Sequence, residues 1–575
     1  MITYLRWIFG LILLFLSFSG YVFGILRNTK IKVEFSPFVV CSTVGLLEFT
    51  AGLLNVLPEA AIIICGIGVF CFVIEIRKSG FQKKCITPGI VFFVVSLLLI
   101  LVLAKEIFFV GWDNFSHWAL VVKQMLKWNR FPNFQNTIII FQSYPTGSAS
   151  FIYYVCFFMG DSEGIMFFAQ NILQISGMTC IWAYVKQKDI VARAMAIGLT
   201  AFVLFFNTPV NGLMVDNLIV IMGLAGITIL YYYKDNICRG ILYVLPGFCL
   251  LAVAKTGSGI LFVIAGWIFI IITERKQIKK SFYAIAAFII MPLCYTWLWK
   301  KHVSMVFANG NNTLHSMSVS NYKNVFAERT LEDIKNIIVL YLKEIVSVRN
   351  PMWYFFVFIL LLLIYCRKNI DLFLKLKKYM YFIIVVYILW DASLLGIYLM
   401  SMPLAEAYQL ASYDRYHNTI IIYIIGLFGV FCLSLQGEQD SIFHFRKRDF
   451  HKTKSCLVIG MIIFLLIIDG VSVIKTISYN NDTSKKIIAL EESIENSELI
   501  NGKNYIIYTE DADNGYYMFY GRYRFDTEEV ASVNKETWNS FNEWGNYNYI
   551  LMIDHNEELE DYLKKNTSLI VVENQ

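Results

Sequence analysis

Long apolar stretches with almost no charge recur through most of the chain, and they restrict the fold more than any other feature. Each runs for roughly 17 to 22 residues, the length that an α-helix needs to cross a bilayer. Lipid offers the backbone no hydrogen-bond partners, so only helices or closed β-barrels can span it. The stretches are continuously apolar rather than alternating, which favours helices. Of the 575 residues, 57% are hydrophobic and only 16% are charged, whereas soluble domains carry about 25% charged residues.

We therefore predict a polytopic α-helical membrane protein with about 13 to 15 spans. The predicted spans are 5–26, 37–57, 60–76, 88–110, 164–185, 190–206, 218–233, 240–254, 257–273, 282–299, 352–366, 379–400, 418–436 and 456–475. Basic residues, not a small-residue cleavage site, follow the first stretch, so we predict a retained span rather than a signal peptide.

Basic residues gather in short loops, and this indicates the orientation because cytoplasmic loops are enriched in Lys and Arg. The loops predicted to be cytoplasmic are Arg77–Lys84, Arg275–Lys280, Arg367–Lys378 and Arg446–Lys454. The segments then predicted to face outward are 111–160, 207–217, the turn at Lys255, 300–350, 401–417 and the chain from 476 onward. The apolar stretch 144–160 fits only if it is re-entrant or interfacial, or if one short span is miscounted. The net charge of +6 lies largely in these loops and does not indicate a nucleic-acid partner.

The chain from 476 to 575 differs in composition, being rich in Asp, Glu, Asn and Lys. Strand-like runs alternate there with helical patterns, which predicts a small extracytoplasmic α/β domain. The strand-like runs are Tyr505–Thr509, Tyr547–Ile553 and Ser568–Glu573, and the helical patterns are Lys485–Ile494 and Glu557–Lys565. All 12 cysteines lie at or before Cys456 without a CxxC or Cys/His cluster, so neither a disulfide framework nor a zinc site is indicated.

The densest outward cluster of polar and aromatic residues is Gly111–Trp118. Asp113 or Asn114 is suited to cap a helix that runs to about Arg130. Apolar and polar residues then alternate at helical spacing, which predicts an amphipathic helix on the membrane surface with its basic face toward lipid phosphates. The apolar members are Phe115, Trp118, Val122, Met125 and Trp128, and the polar ones are Ser116, Lys123, Lys127 and Arg130.

Asp113 and His117 are four residues apart and would share one helix face. A carboxylate beside a histidine at the mouth of a cavity suits general-base catalysis. The alternative is structural, with a capping Asp113 and an interfacial aromatic belt.

Three further outward residues carry candidate chemistry. Asp216 lies in the short loop 207–217 and is either functional or simply solvated. Lys255 precedes Thr-Gly-Ser-Gly at the start of a span, where free backbone N–H groups and the helix dipole favour an anion; the alternative is a lysine that snorkels to the interface. Arg415 could bind a phosphate bidentately or form a surface ion pair with Asp414 or Glu406.

Three acids fall inside predicted spans, where charge is unfavourable and function is a default hypothesis. They are Glu48, Asp391 and Asp469. Glu48 could pair with a basic residue of a neighbouring helix, and the spacing of the three does not define a proton relay.

In their order along the chain, these motifs resemble the GT-C superfamily of membrane glycosyltransferases, which includes protein O-mannosyltransferases and lipid A aminoarabinose transferases. The resemblance covers roughly residues 88–475. The motifs that carry it are Trp112-Asp113 to Trp118, Tyr144-Pro145-Thr146-Gly147, Gly160 to Glu163, Asn207 to Asp216-Asn217, Ala254-Lys255-Thr-Gly and Arg415-Tyr416. It divides the chain into N-terminal spans at 1–87, a GT-C-like catalytic module at 88–475 and the extracytoplasmic domain at 476–575.

The resemblance implies an enzyme that transfers a sugar from a polyprenyl-phosphate-linked donor to a glycan or lipid acceptor at the outer face of the membrane. It assigns Asp113 and Asp216 to catalysis, and Lys255 and Arg415 to the donor phosphate. His117 has no clear counterpart in the family and is a catalytic candidate because of its spacing from Asp113. The expected substrate contacts are Trp112, Tyr144, Tyr416 and His417. Residue usage rich in Ile, Lys and Asn favours a bacterial cell envelope and surface-polysaccharide synthesis.

The chain departs from the family in two ways. Three spans precede the one that leads into Asp113, whereas the family usually has one, and the first outer loop has a single Asp rather than an acidic pair. The identity of the base and the participation of a divalent cation therefore stay open. Two other functions also stay open, namely a polysaccharide polymerase or ligase and a non-enzymatic flippase or transporter of lipid-linked sugar. A transporter would be expected to have paired broken helices, whereas only Lys255-Thr-Gly-Ser-Gly resembles one.

Overall fold

Helices make up most of the protein, as the apolar stretches predict. The computed structural model describes residues 2–79, 85–105, 107–186, 189–207, 212–255, 257–273, 281–307, 319–437, 485, 487–492, 494, 502–510, 513 and 515–573. The helices that precede the C-terminal domain are α1 (Ile2–Asn28), α2 (Ser36–Leu53), α3 (Leu57–Ser79), α4 (Pro88–Leu103), α5 (Ala119–Trp128), α6 (Gly147–Met159), α7 (Glu163–Thr179), α8 (Ile190–Phe205), α9 (Asp216–Tyr232), α10 (Ile237–Ala252), α11 (Ser258–Thr273), α12 (Phe282–Val306), α13 (Val319–Ala327), α14 (Leu331–Val346), α15 (Pro351–Cys366), α16 (Ile370–Met400), α17 (Leu404–Tyr408) and α18 (Tyr413–Gly437).

Within the described residues, eight helices are long and apolar enough to cross a membrane, or nine if α14 and α15, bent by 47°, form one span. Five shorter apolar helices accompany them. The most apolar windows of α7 and α18 are 100% and 94% buried in the protein, whereas those of α1 and α12 are only 22% and 17% buried. The central helices are thus enclosed by protein, while the peripheral helices leave apolar faces uncovered, as expected of a helical membrane protein.

The helix α6 occupies most of the stretch 144–160, whose membrane placement the sequence left open. It has 13 residues and is therefore about 20 Å long, less than the roughly 30 Å of a hydrocarbon core. Its side chains are almost wholly buried against α1, α2 and α7. Most of this stretch is therefore a short helix in the interior of the protein.

The helix α9 connects two chemically different ends of the bundle. Its 17 residues span about 25 Å. At its C-terminal end, the Tyr233 hydroxyl accepts from the Lys32 backbone N–H and donates to the Lys30 carbonyl. At its N-terminal end, Asp216 begins the helix. The basic loop after α1 and the loop after α9 thus lie together, away from Asp216.

The C-terminal domain contains a four-stranded parallel sheet. Its strands are β1 (Tyr505–Thr509), β2 (Val530–Asn534), β3 (Tyr549–Met552) and β4 (Ile570–Glu573), in the order β2-β1-β3-β4. The helix α19 (Tyr516–Phe525) connects β1 to β2, and α20 (Glu557–Asn566) connects β3 to β4. The α/β character predicted for this part of the chain is confirmed, although the sequence analysis missed α19 and β2.

Several sequence predictions need adjustment or fall outside the described residues. The spans predicted at 379–400 and 418–436 begin earlier, at Ile370 and Tyr413. The predicted span 456–475, the loops Arg275–Lys280 and Arg446–Lys454, and Asp469 lie in parts of the chain that are not described.

The predicted amphipathic surface helix is wrong in its environment. Its apolar residues Phe115, Trp118, Val122 and Met125 are buried in the protein core rather than turned to lipid. The amines of Lys123 and Lys127 bind Tyr523 and Asp526 of the C-terminal domain instead of lipid phosphates. The segment lies between the helix bundle and the C-terminal domain.

Candidate functional site

A cavity of about 560 Å³ lies where α9, α11, α16 and α18 approach the segment Trp112–Trp118. One part of its wall is charged, with Asp113, Asp216, Lys255 and Arg415. Another part is apolar, with Leu261, Leu394, Ile397 and Met400 among its residues. A cavity with this division suits a ligand that has both a charged head and an apolar body.

Three ion pairs connect the four charged residues. The Lys255 amine lies 2.5 Å from Oδ1 of Asp216, and the Arg415 guanidinium lies 2.5 Å from Oδ2 of Asp113, across 302 positions of sequence. Nε of Arg415 is also 3.8 Å from Oδ2 of Asp216. The Asp216 side chain is only 3% exposed, while Asp113 and Arg415 are 25% exposed. Asp216 is therefore the buried centre of the group, and Asp113 and Arg415 face the cavity.

Tyr416 joins the two cations. Its ring centroid lies 5.0 Å from the Lys255 amine and 4.9 Å from the Arg415 guanidinium carbon. Its hydroxyl accepts from Nη2 of Arg415 at 2.9 Å. Attraction between cations and an aromatic face stabilises this arrangement. Both cations are thereby held toward the cavity without an added ligand.

Local backbone structure places each charged side chain at the same end of the bundle. Lys255 stands in the turn between α10 and α11, where Gly257 has a φ of +78°, a conformation that glycine adopts without strain. Arg415 lies in the first turn of α18, and its carbonyl accepts from the side chains of Asn207 and Thr419. The chain reaches this turn through two non-glycine residues in the left-handed region, Leu410 (φ 46°) and Ser412 (φ 59°). Such strain often accompanies functional sites.

Residues Asn114–Trp118 form a single π-helical stretch, here named the π segment. Neither candidate cap acts as the sequence predicted. Asp113 makes no capping hydrogen bond, because its carboxylate is directed to Arg415. Oδ1 of Asn114 instead accepts from the Leu213 backbone N–H at 2.8 Å, which connects the segment to the loop before Asp216. Isolated π-helical turns inside helices occur frequently at functional sites.

His117 lies in the π segment and lines the same cavity as Asp113. It is 3% exposed, and its ring packs against Trp118, Phe141 and Tyr144. Burial lowers the pKa of His117 to about 3. Its Nδ1 has no hydrogen-bond partner in the described structure. The imidazole is thus neutral at neutral pH and retains hydrogen-bonding capacity.

Of the predicted substrate contacts, Trp112, Tyr144 and Tyr416 line the cavity and His417 does not. His417 is buried on the opposite side of α18, where Nε2 lies 3.0 Å from the Tyr387 hydroxyl. Successive helical residues project about 100° apart, so Arg415 and His417 cannot face the same side. His417 is therefore not brought together with the other predicted substrate contacts, and its role in substrate binding stays a prediction.

The acids inside helices differ from one another. Asp391 lies beside this histidine: Oδ1 of Asp391 is 3.8 Å from Nε2 of His417 and accepts from the Tyr341 hydroxyl at 3.2 Å. Glu48 is fully buried, and neither of its carboxylate oxygens has a hydrogen-bond partner in the described structure. The ion pair considered for Glu48 is therefore not seen among the described residues.

The sequence left the ion-pair partner of Arg415 open. Arg415 pairs with Asp113, not with Asp414, its sequence neighbour. The sequence analysis missed Tyr322 and Trp390, which also line the cavity, and it did not propose Ser116 or Glu406 as cavity residues. No short motif marks Tyr322 or Trp390, since they come from separate helices. Across the described ranges, no three His, Cys, Asp or Glu side chains come together in a metal-binding cluster.

Comparison of the chain with protein-family models, with curated proteins and with solved structures gave no match. What the site can do is therefore inferred from its own residues.

Proposed function

We propose that the chain is a membrane glycosyltransferase that moves a sugar from a polyprenyl-phosphate-linked donor to an acceptor hydroxyl. The observation that carries the proposal is the meeting of Asp113, Asp216, Lys255 and Arg415 in one cavity. The proposal includes a GT-C-like fold of about 13 to 15 spans and a cavity that faces the outside of a bacterial cell membrane.

The shape of the cavity supports a lipid-linked donor. Leu261 and Trp390 belong both to the cavity and to a small apolar depression of about 10 Å³ between α11 and α16. The rest of the depression consists of apolar side chains, namely Phe262, Ile264, Ala265, Ile268, Val386 and Leu389. A phosphate bound by Lys255 and Arg415 would leave its hydrocarbon tail near these apolar helix faces, where burial of apolar surface is favourable.

The charged residues suggest how the transfer would proceed. The acceptor oxygen attacks the anomeric carbon and forms the new glycosidic bond, while the bond from that carbon to the phosphate oxygen breaks. The bonding electron pair leaves with the phosphate, whose negative charge Lys255 and Arg415 stabilise. The acceptor proton passes to Asp113 as general base. The products are the glycosylated acceptor and the polyprenyl phosphate.

The ion pairs add a feature that the sequence did not suggest. Asp113 and a donor phosphate would compete for the same Arg415 guanidinium. Binding of the donor would therefore weaken the Asp113–Arg415 pair and leave Asp113 free to accept a proton. Donor binding would then prepare the base for the acceptor.

Decaprenyl phosphate, with decaprenol as the uncharged control, tests the phosphate site in purified protein. We expect Lys255→Ala and Arg415→Ala each to weaken binding of decaprenyl phosphate about ten- to hundred-fold, because each removes a charge-assisted contact worth about 1.5–3 kcal/mol. Binding of decaprenol should change little. Lys300→Ala and Asp414→Asn, at exposed positions outside the cavity, are the matched controls. Equal binding of phosphate and alcohol would contradict the phosphate assignment.

Asp113→Asn tests the catalytic step with a panel of polyprenyl-phosphate sugars as donors. Loss of a general base typically lowers the rate about 10²- to 10⁴-fold, and we expect a loss in that range. Affinity for decaprenyl phosphate should stay equal or rise, because the substitution frees Arg415. His117→Gln identifies the alternative base. Near-normal transfer by both variants would contradict the enzymatic proposal.

The same assay separates the two alternative functions. A polymerase or ligase would extend or transfer a whole glycan, so its product would be a ladder or a large conjugate rather than a single addition. A flippase would form no product in detergent solution, where the two sides of a membrane are absent.

A further inference from the structure

The C-terminal domain contacts the site through one aromatic helix face. In α19, the rings of Tyr516, Tyr520 and Tyr523 surround Phe115 of the π segment, with centroid distances of 5.7, 5.3 and 5.4 Å. Phe115 is only 1% exposed as a result. Phe115, which lies two residues before His117, is therefore buried by the outer domain rather than by the membrane helices alone.

A second aromatic contact reaches the wall of the cavity. Phe519 of α19 packs edge-to-face on Trp112, with centroids 4.7 Å apart. Trp112 lines the cavity, so one indole separates the outer domain from the candidate site. The Tyr516 hydroxyl also donates to the Val110 carbonyl at 2.8 Å, just before the residues that carry Asp113.

Polar contacts fix the end of α19 against α5. The Lys123 amine donates to the Tyr523 carbonyl at 2.5 Å, and the Gln124 amide donates to Asp526 at 2.6 Å. Lys127 forms an ion pair with the same Asp526 carboxylate. Asp526 has a φ of +54°, a left-handed conformation that is uncommon outside glycine. The C-terminal end of α19 thus offers hydrogen-bond acceptors to three donor side chains of α5.

The π segment needs such support, because π-helical turns are rare and persist where the surroundings determine them. From these contacts we infer that the outer domain is a positioning element of the site: α19 holds the π segment and Trp112 in the geometry that presents Asp113 and His117 to the cavity. The consequence for transfer rests on the proposed function, while the effect on the π segment does not.

The test uses the purified full-length protein and reverses the charges of one docking pair. We expect Asp526→Lys to raise amide hydrogen exchange across residues 110–118 about ten-fold, since docking and local opening of the segment are coupled. The double variant Lys127→Asp/Asp526→Lys should restore most of the protection, because a restored pair shows coupling between the two residues. Phe519→Ala should have the same effect as Asp526→Lys. Phe541→Ala is the matched control, since Phe541 packs on Trp544 and Tyr547 inside the outer domain.

Two further readouts separate this inference from the proposed function. In Asp526→Lys, transfer should fall about ten-fold with decaprenyl phosphate affinity within about three-fold of the parent, a split expected when positioning for the chemical step is lost. Unchanged exchange at 110–118 in both Asp526→Lys and Phe519→Ala would overturn the inference. If exchange responds and is rescued but the parent protein transfers no sugar, the proposed function fails and the positioning role stands.

Discussion

At the scale of single residues, the candidate site is a set of oppositely charged side chains that neutralise one another. Arg415 is shared by Asp113 and, at longer range, by Asp216, which is also bound by Lys255. Removing one partner of such a partly buried pair leaves the other charge unpaired, which is more unfavourable than the pair itself. Variants that keep shape, such as Asp113→Asn, therefore report on chemistry more cleanly than truncations.

His117 gives a prediction for stability against pH. Its pKa is lowered by burial to about 3 in the folded protein, below the roughly 6.5 of an exposed histidine. The unfolded chain therefore binds the extra proton between these values. The contribution of His117 is fully present above about pH 6.5 and is lost as the pH falls toward 3, with a slope of up to about 1.4 kcal/mol per pH unit.

The measurement compares the thermal stability of the parent and of His117→Gln in detergent between about pH 7 and pH 4.5, the range in which the linkage acts. We expect the parent to lose more stability than the variant on acidification. Parallel curves for the two proteins would show that His117 is not buried as a neutral group.

At the scale of elements, α11 and α16 form the apolar side of the cavity, and Gly396 offers a way to fill it. Gly396 lines the cavity, and a Cβ added there would meet no atom within 4 Å. We expect Gly396→Phe to fold normally and to weaken decaprenyl phosphate binding about ten-fold or more. The added ring would occupy the space of the lipid and so remove the dispersion contacts between the lipid and the cavity wall.

Gly66 of α3 is the matched control for this substitution. It also has open space around its Cβ position, but it does not line the cavity. Gly66→Phe should leave binding unchanged. If both variants bind decaprenyl phosphate like the parent, the lipid does not occupy the side of the cavity next to α16.

At the scale of the whole molecule, the arrangement of charges predicts an orientation in the membrane. The start of α10, which carries the exposed Cys238, lies at the same end of the bundle as Lys30 and Lys32. The excess of basic residues indicates that this end is cytoplasmic. The candidate site and the C-terminal domain that packs beside it lie at the other end of α9.

Labelling of intact cells tests this orientation. In a variant that keeps Cys238 as its only cysteine, an impermeant maleimide should fail to react until the membrane is opened. A Ser540→Cys substitution at an exposed position of the outer domain, in a background without other cysteines, should react at once. Labelling of Cys238 in intact cells would reverse the proposed sidedness.

The sequence by itself determined where the apolar helices lie and which residues are candidates for chemistry. Uncharged runs predict helices because lipid and the protein interior both exclude unpaired backbone groups. Asp216 and Lys255 could be selected as candidate site residues because a charged side chain next to an apolar stretch is unfavourable and is therefore usually functional. The strands β1, β3 and β4 were also found, since their apolar runs are bounded by turn residues.

Only the tertiary structure decided which candidates meet. The pairing of Asp113 with Arg415 joins residues 302 positions apart, and no local pattern encodes such a distance. The early start of α18 at Tyr413 decided that Arg415 faces the cavity and His417 the interior, because side-chain direction follows helical phase. The amphipathic pattern after Asp113 did reveal an apolar face and a basic face, but hydrophobicity alone does not distinguish lipid from protein. The C-terminal domain, rather than lipid phosphate, meets that basic face, because Asp526 and the tyrosines of α19 offer it charge and shape that become contiguous only on folding.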